Sequence, residues 1–109
     1  MSWIVEYLPE AKNDLQKLDH AAQVQVLKGI DKVAQNPLPR QSGGYGKPLG
    51  HKGNLNLTTL LKIKFRDLGI RVVYKLQYTN VAMKIVVISA RADEQVYRIA
   101  ASRKNDHKL

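Results

Sequence analysis

The chain has 109 residues, no cysteine, and 18 Lys and Arg against nine Asp and Glu, a formal net charge of +9. That length supports one domain spanning residues 1–109, and the lack of cysteine excludes disulfides, thiolate nucleophiles and Cys-based zinc sites. So basic a domain carries the electrostatic footprint of a nucleic-acid or acidic-protein partner, whereas no apolar run approaches the ~20 residues of a membrane-spanning helix.

The amino terminus, MSWIVEYLPE, lacks the positive and then apolar pattern of a leader, so the expected location is cytoplasmic, with no membrane association. His20, His51 and His107 are dispersed with no second ligand at helical spacing, so neither a metal site nor a cofactor is expected. In Ser2–Leu8, Trp3, Val5 and Tyr7 alternate with Ile4, Glu6 and Leu8, as in a short strand. Pro9 ends it and suits the first position of a helix, and Glu10 suits the positive end of the helix dipole. Ala11, Leu15 and Leu18 at i, i+4, i+7 predict a first helix over about residues 10–17. Asp19 is positioned to cap a second, in which Val24, Leu27, Ile30 and Val33 form a stripe widened by Val26 and Ala34. Asn36-Pro37-Leu38-Pro39 stops that helix, because proline breaks the hydrogen-bond ladder. Two helices so closely joined are expected to form an antiparallel hairpin that needs an apolar surface to cover.

Arg40 to Asn54 reads as a loop, and six of the seven glycines fall between Gly43 and Gly69. GGYGKPLGHKG lacks the Gly-Lys-Ser/Thr ending of a phosphate-binding loop and neither follows a strand nor opens a helix. It is expected to carry Lys47 and Lys52 close to whatever the basic surface binds.

Leu60–Leu76, LLKIKFRDLGIRVVYKL, alternates in both halves around the turn Arg66-Asp67-Leu68-Gly69. A two-residue loop at Asp67-Leu68 pairs Phe65 with Ile70, Ile63 with Val72 and Leu61 with Tyr74, making one face apolar; a slip of one residue would destroy it. On the other, solvent-directed face Lys64 then lies across from Arg71 with Lys62 alongside. Such crowding disfavours the pairing unless a polyanion lies over it. Val81–Ala90 is apolar enough for a strand buried on both sides, with Lys84 its only charge. Asp93 and Glu94 can open a last helix packed through Val96, Ile99 and Ala100, and the polar tail SRKNDHKL is expected to fray.

The order strand, two helices, three antiparallel strands, short helix resembles the RelE/ParE superfamily of toxins from bacterial type II toxin–antitoxin modules. The likeness is strongest over Lys62-Ile63-Lys64, Gly69-Ile70-Arg71-Val72-Val73-Tyr74, Val87-Ile88-Ser89 with Arg91, and Val96-Tyr97, which are similar to the RelE branch. It implies an α+β fold: an N-terminal strand and helical hairpin on a small, mainly antiparallel sheet, with a short C-terminal helix. It implies a metal-independent mRNA interferase that cleaves mRNA in the ribosomal A site by attack of a ribose 2′-hydroxyl on the neighbouring phosphate. It also implies neutralisation by a cognate antitoxin. Carried over residue by residue, the catalytic set is Lys62, Lys64, Arg71, Arg91 and Tyr97. Lys47, Lys52, Arg66 and Lys75 are the expected RNA contacts. The longer glycine-rich segment before the Lys62 strand departs from the family pattern.

Such a cleavage needs a base for the 2′-hydroxyl, positive charge at the phosphoryl oxygens and an acid for the leaving 5′-oxygen. A lysine among cations loses its proton more readily, which points to Lys64 as base. Lys62 and Arg71 then stabilise the phosphoryl oxygens, Arg91 stands near the leaving oxygen, and Tyr97 stacks on a base or shares the proton work. Arg91 could equally pair with Asp93 or Glu94, and Tyr97 could simply pack. Two other functions fit the same fold: a ParE-like inhibitor of DNA gyrase, and a basic RNA-binding module without activity. The joint presence of the five residues favours the nuclease.

Overall fold

A computed structural model describes residues 2–109. β1 (Ile4–Tyr7) leads into α1 (Pro9–Gln16) and α2 (His20–Ala34). β2 (Lys47–Lys52), β3 (Leu55–Phe65), β4 (Ile70–Gln77) and β5 (Ala82–Ser89) follow, and α3 (Asp93–Asp106) comes last. The strands form one sheet in the order β1-β5-β4-β3-β2, antiparallel except where β1 runs parallel to β5. This is the expected α+β arrangement, and none of its helices is long and apolar enough to cross a membrane.

The central hairpin has the register that alternation dictates: Phe65 faces Ile70, Ile63 faces Val72, Leu61 faces Tyr74 and Lys64 faces Arg71. The apolar face turns toward α2, where Gly29 brings the helix so close that a Cβ there would lie 2.2 Å from the Phe65 ring. Tyr74 is fully buried, and its hydroxyl donates to the Pro37 carbonyl at 2.8 Å. Burial pushes that hydroxyl well above the ordinary tyrosine range. As expected, Pro9 begins α1 and Asp19 caps α2, its Oδ1 accepting from the Ala22 amide at 2.8 Å.

The structure corrects the sequence reading at four places. Residues 40–54 are not all loop: after a single 3-10 turn at Arg40–Ser42, β2 pairs with β3 as the edge strand. Pro48 and Gly50 disguised it, but an edge strand tolerates proline, and Gly50, with φ of 61°, sits at a bulge. The α2 face that packs is Ala22, Val26, Ile30, Val33 and Ala34, while Val24 and Leu27 remain exposed.

The tail does not fray, because α3 continues to Asp106. Arg103 Nη1 donates to Asp14 Oδ2 at 2.6 Å and to the Val86 carbonyl at 3.0 Å, and Asp14 Oδ2 also accepts from the Ile88 amide at 3.1 Å. β1 pairs with β5 only as far as Ile85, so these side chains satisfy the backbone groups beyond it. Finally, α3 covers part of the hairpin face that alternation left to solvent. Lys62 is therefore only 8% exposed.

Candidate active site

β3 and β4 hold Lys62, Lys64 and Arg71 on the sheet face opposite α2, and α3 lays its first two turns against them. Lys62 Nζ donates to the Tyr97 hydroxyl at 2.6 Å and lies 5.2 Å from the centre of its ring. Tyr97 therefore both packs, at 8% exposure, and engages a cation through its polar end. Its own hydroxyl proton is not used in that bond.

Asp93, the first residue of α3, is the acid among these cations. It pairs with the Arg71 Nε, and its Oδ2 lies 3.6 Å from Lys62 Nζ. Burial by itself would raise the Asp93 carboxyl; the Arg71 hydrogen bond and the positive charges of Lys62, Arg71 and Lys64 outweigh it and hold the group below the usual aspartate range. Arg71 is further fixed through Nη1 to the carbonyls of Gly69 at 3.2 Å and Arg91 at 2.9 Å. It does not project into solvent, as alternation alone implied; its side chain is only 16% exposed. The crowding of cations that the sequence pattern implies is thus relieved in the folded chain by one carboxylate.

Lys64 is exposed and, among the described residues, has neither a salt bridge nor a side-chain hydrogen bond. It opens onto a cleft of about 300 Å³ that is also lined by Lys47, Lys62, Arg66 and Asp93. Lys47 belongs there because β2 pairs it with Lys62. Lys52 Nζ also lies near Tyr97, 5.9 Å from its ring centre. Lys75 lies apart, beside an apolar groove lined by Pro48, Thr59 and Tyr78.

Arg91 is joined to this set through its backbone. Its carbonyl holds Arg71 and its amide donates to Ser89 Oγ at 3.1 Å, while its side chain is exposed and borders a separate depression with Asp14 and Ser89. Neither Asp93 nor Glu94 pairs with it: Arg71 takes Asp93, and Glu94 bonds Arg98 one turn on at 2.8 Å.

The folded site thus joins Lys62, Arg71, Asp93 and Tyr97 directly, with Lys64, Lys47 and Arg66 at its mouth. Sequence reasoning missed Asp93 as a member, reading it as a helix opener or a surface partner of Arg91, and missed Arg40 and Tyr45, which also line the cleft. The one sequence signal for Asp93 was an acid two residues after Arg91 in an otherwise basic set. Chemically, a cleft with this charge balance is built to receive an anion. Lys62 on its wall and Arg71 behind it are both oriented by Asp93, a carboxylate whose place a phosphodiester oxygen can take.

No protein-family model matches the chain. A RelE-like toxin protein of Escherichia coli is 31% identical over 104 residues, covering 94% of this chain and 98% of that one. Among solved structures, a mutant of the E. coli toxin RelE in the free state has a TM-score of 0.72 at 21% identity, covering 94% of this chain and 98% of that one. The intact E. coli RelBE toxin–antitoxin complex gives 0.63 at 20% identity, with 84% and 99% covered. The archaeal RelE–RelB complex from Pyrococcus horikoshii gives 0.59 at 22%, with 85% and 99% covered. The solved structures establish the fold. The curated relative, matched over nearly the whole of both chains, establishes kinship: the chain belongs to the RelE-like toxin family.

Proposed function

We propose that the protein is a ribosome-dependent endoribonuclease toxin that cleaves mRNA in the ribosomal A site and so inhibits translation. The observation that carries this reading is the buried Lys62–Tyr97 hydrogen bond at 2.6 Å, with Lys62 and Asp93 on the wall of a cationic cleft and Arg71 held by Asp93. In a simple binding surface a buried ammonium–phenol pair would serve only to fasten α3 to the sheet. A phosphoryl-transfer site gains a cation and a proton donor in fixed relation.

In the reaction, the 2′-oxygen forms a bond to the adjacent phosphorus and the bond from phosphorus to the 5′-oxygen breaks, leaving a 2′,3′-cyclic phosphate and a free 5′-hydroxyl. Lys64, at the mouth of the cleft and without an ion-pair partner among the described residues, takes the 2′ proton. Lys62 and Arg71 hold the phosphoryl oxygens, displacing Asp93. Tyr97 donates its proton to the leaving 5′-oxygen and is recharged from Lys62, while Arg91 acts through its backbone carbonyl, which holds Arg71 in place. No metal enters this scheme.

The positive surface docks on ribosomal RNA, with Lys47, Lys52 and Arg66 around the cleft and Lys75 farther along the sheet. A cognate antitoxin that is acidic or amphipathic neutralises the protein, a reading supported by the toxin–antitoxin complexes among its structural relatives. Expression in a translation extract tests the proposal. Cleaved mRNA is expected from the wild-type chain and not from Lys64→Ala/Arg71→Ala. Intact mRNA in the extract together with inhibition of purified gyrase would assign the chain to the gyrase-inhibitor class instead.

A further inference from the structure

The segment between α2 and β2 places Tyr45 on the wall of the cationic cleft. Tyr45 is 48% exposed and stands outside the core. Its backbone, by contrast, is tightly held: the Tyr45 amide donates to the Asn36 carbonyl at 3.2 Å, Gly46 N to Leu38 O at 3.1 Å, and Arg40 N to Gly46 O at 2.9 Å. The glycines on either side are pressed against neighbours. A Cβ at Gly44 would lie 2.0 Å from the Leu38 carbonyl oxygen, and one at Gly46 would lie 2.2 Å from the Tyr74 hydroxyl. The fold thus spends two close-packed glycines on fixing a loop whose central residue is a large aromatic facing outward.

Around that ring are cations. Lys32 Nζ lies 5.5 Å from its centre, and the cleft it borders holds Arg40, Lys47, Lys62, Lys64 and Arg66 against the single acid Asp93. A rigid aromatic surface beside a positive track is how proteins hold single-stranded nucleic acid, with backbone phosphates on the cations and a base against the ring. Because the loop is already fixed, little freedom is lost when a base settles on it.

We propose that Tyr45 is a stacking platform for the nucleobase next to the scissile phosphate, and that Arg40 holds the following phosphate along the strand. The proposal rests on the nuclease reading for the identity of its ligand as single-stranded RNA. It assigns to the glycine-rich segment, where this chain departs from the family pattern, the task of selecting and placing the nucleotide.

The test uses a short single strand with 2′-O-methyl riboses, which cannot be cut, and an abasic strand of the same length and charge. Binding of each at low salt is compared for the wild-type protein, Tyr45→Phe and Tyr45→Ala. Tyr45→Ala is expected to weaken the base-bearing strand about tenfold and to leave the abasic strand within about twofold. The slope of affinity against salt should not change, because no phosphate contact is removed. Tyr45→Phe should behave as wild type. Equal weakening of both strands by Tyr45→Ala, no weakening of either, or a wild-type protein that binds neither strand would overturn the proposal. Base-dependent binding without cleavage on ribosomes would leave the platform standing and remove the nuclease reading. Cleavage without the base dependence would do the reverse.

Discussion

The Lys62 ammonium and the Tyr97 hydroxyl, 35 residues apart in the chain, meet at 2.6 Å in a buried contact between β3 and α3. Tyr97→Phe removes the hydroxyl and leaves Lys62 with only the more distant Asp93 at 3.6 Å. Cleavage on programmed ribosomes is expected to fall at least ~100-fold, the usual worth of a positioned proton donor. Stability should fall by about 1–3 kcal/mol because a buried donor loses its acceptor. Single-turnover cleavage and urea unfolding check the two effects separately.

Lys64 and Arg71 face each other across the hairpin but are predicted to respond differently to truncation. Lys64→Ala removes an exposed side chain and should leave stability within about 0.5 kcal/mol while abolishing cleavage. Arg71→Ala should abolish cleavage too and also cost about 1–3 kcal/mol, because Asp93 and the Gly69 and Arg91 carbonyls lose their donor. Thermal unfolding of the two single mutants distinguishes them.

Asp93 makes stability depend on pH in a defined direction. Its carboxyl is held below the unfolded value, so its contribution is complete above the ordinary aspartate pKa of about 3.9 and is lost as pH falls through the lower folded value. The stability advantage of wild type over Asp93→Asn should therefore be constant near neutrality and shrink from about pH 5 downward. Urea titrations at a series of pH values give the difference directly; an advantage that grew on acidification would contradict the assignment.

Asp14 ties α1 to α3 through Arg103, both side chains being less than one-fifth exposed. Asp14→Ala leaves the guanidinium half-satisfied and the Ile88 amide without its acceptor, and should cost about 3 kcal/mol. Amide exchange should rise first in the last turns of α3.

The hairpin was fully legible because its alternation permits a single register, and the same pattern placed Lys62, Lys64 and Arg71 on one face. What the pattern could not show was the cover. α3 reaches that face through a fold closed by β5, so the burial of Lys62 and the partner of Arg71 depend on residues 22 to 35 positions away. On α2 the stripe was traced through its largest residues, whereas the packed face uses Ala22 and Gly29 to bring the helix close, which leaves Val24 and Leu27 outside. β2 escaped because strand patterning is judged on β-branched and aromatic residues, and an edge strand reading Lys-Pro-Leu-Gly-His-Lys has none.

In the proposed function these groups supply charge and proton transfer while the ribosome supplies the geometry. The cleft is small and open to solvent, and positioning a flexible strand for in-line attack can be worth ~7–11 kcal/mol. The most direct measurement compares the purified protein on naked mRNA with the same mRNA in a programmed ribosome whose decoding site is empty. Cleavage at least ~100-fold faster on the ribosome, falling as salt is added, is the predicted result. Equal rates on the two substrates would contradict it.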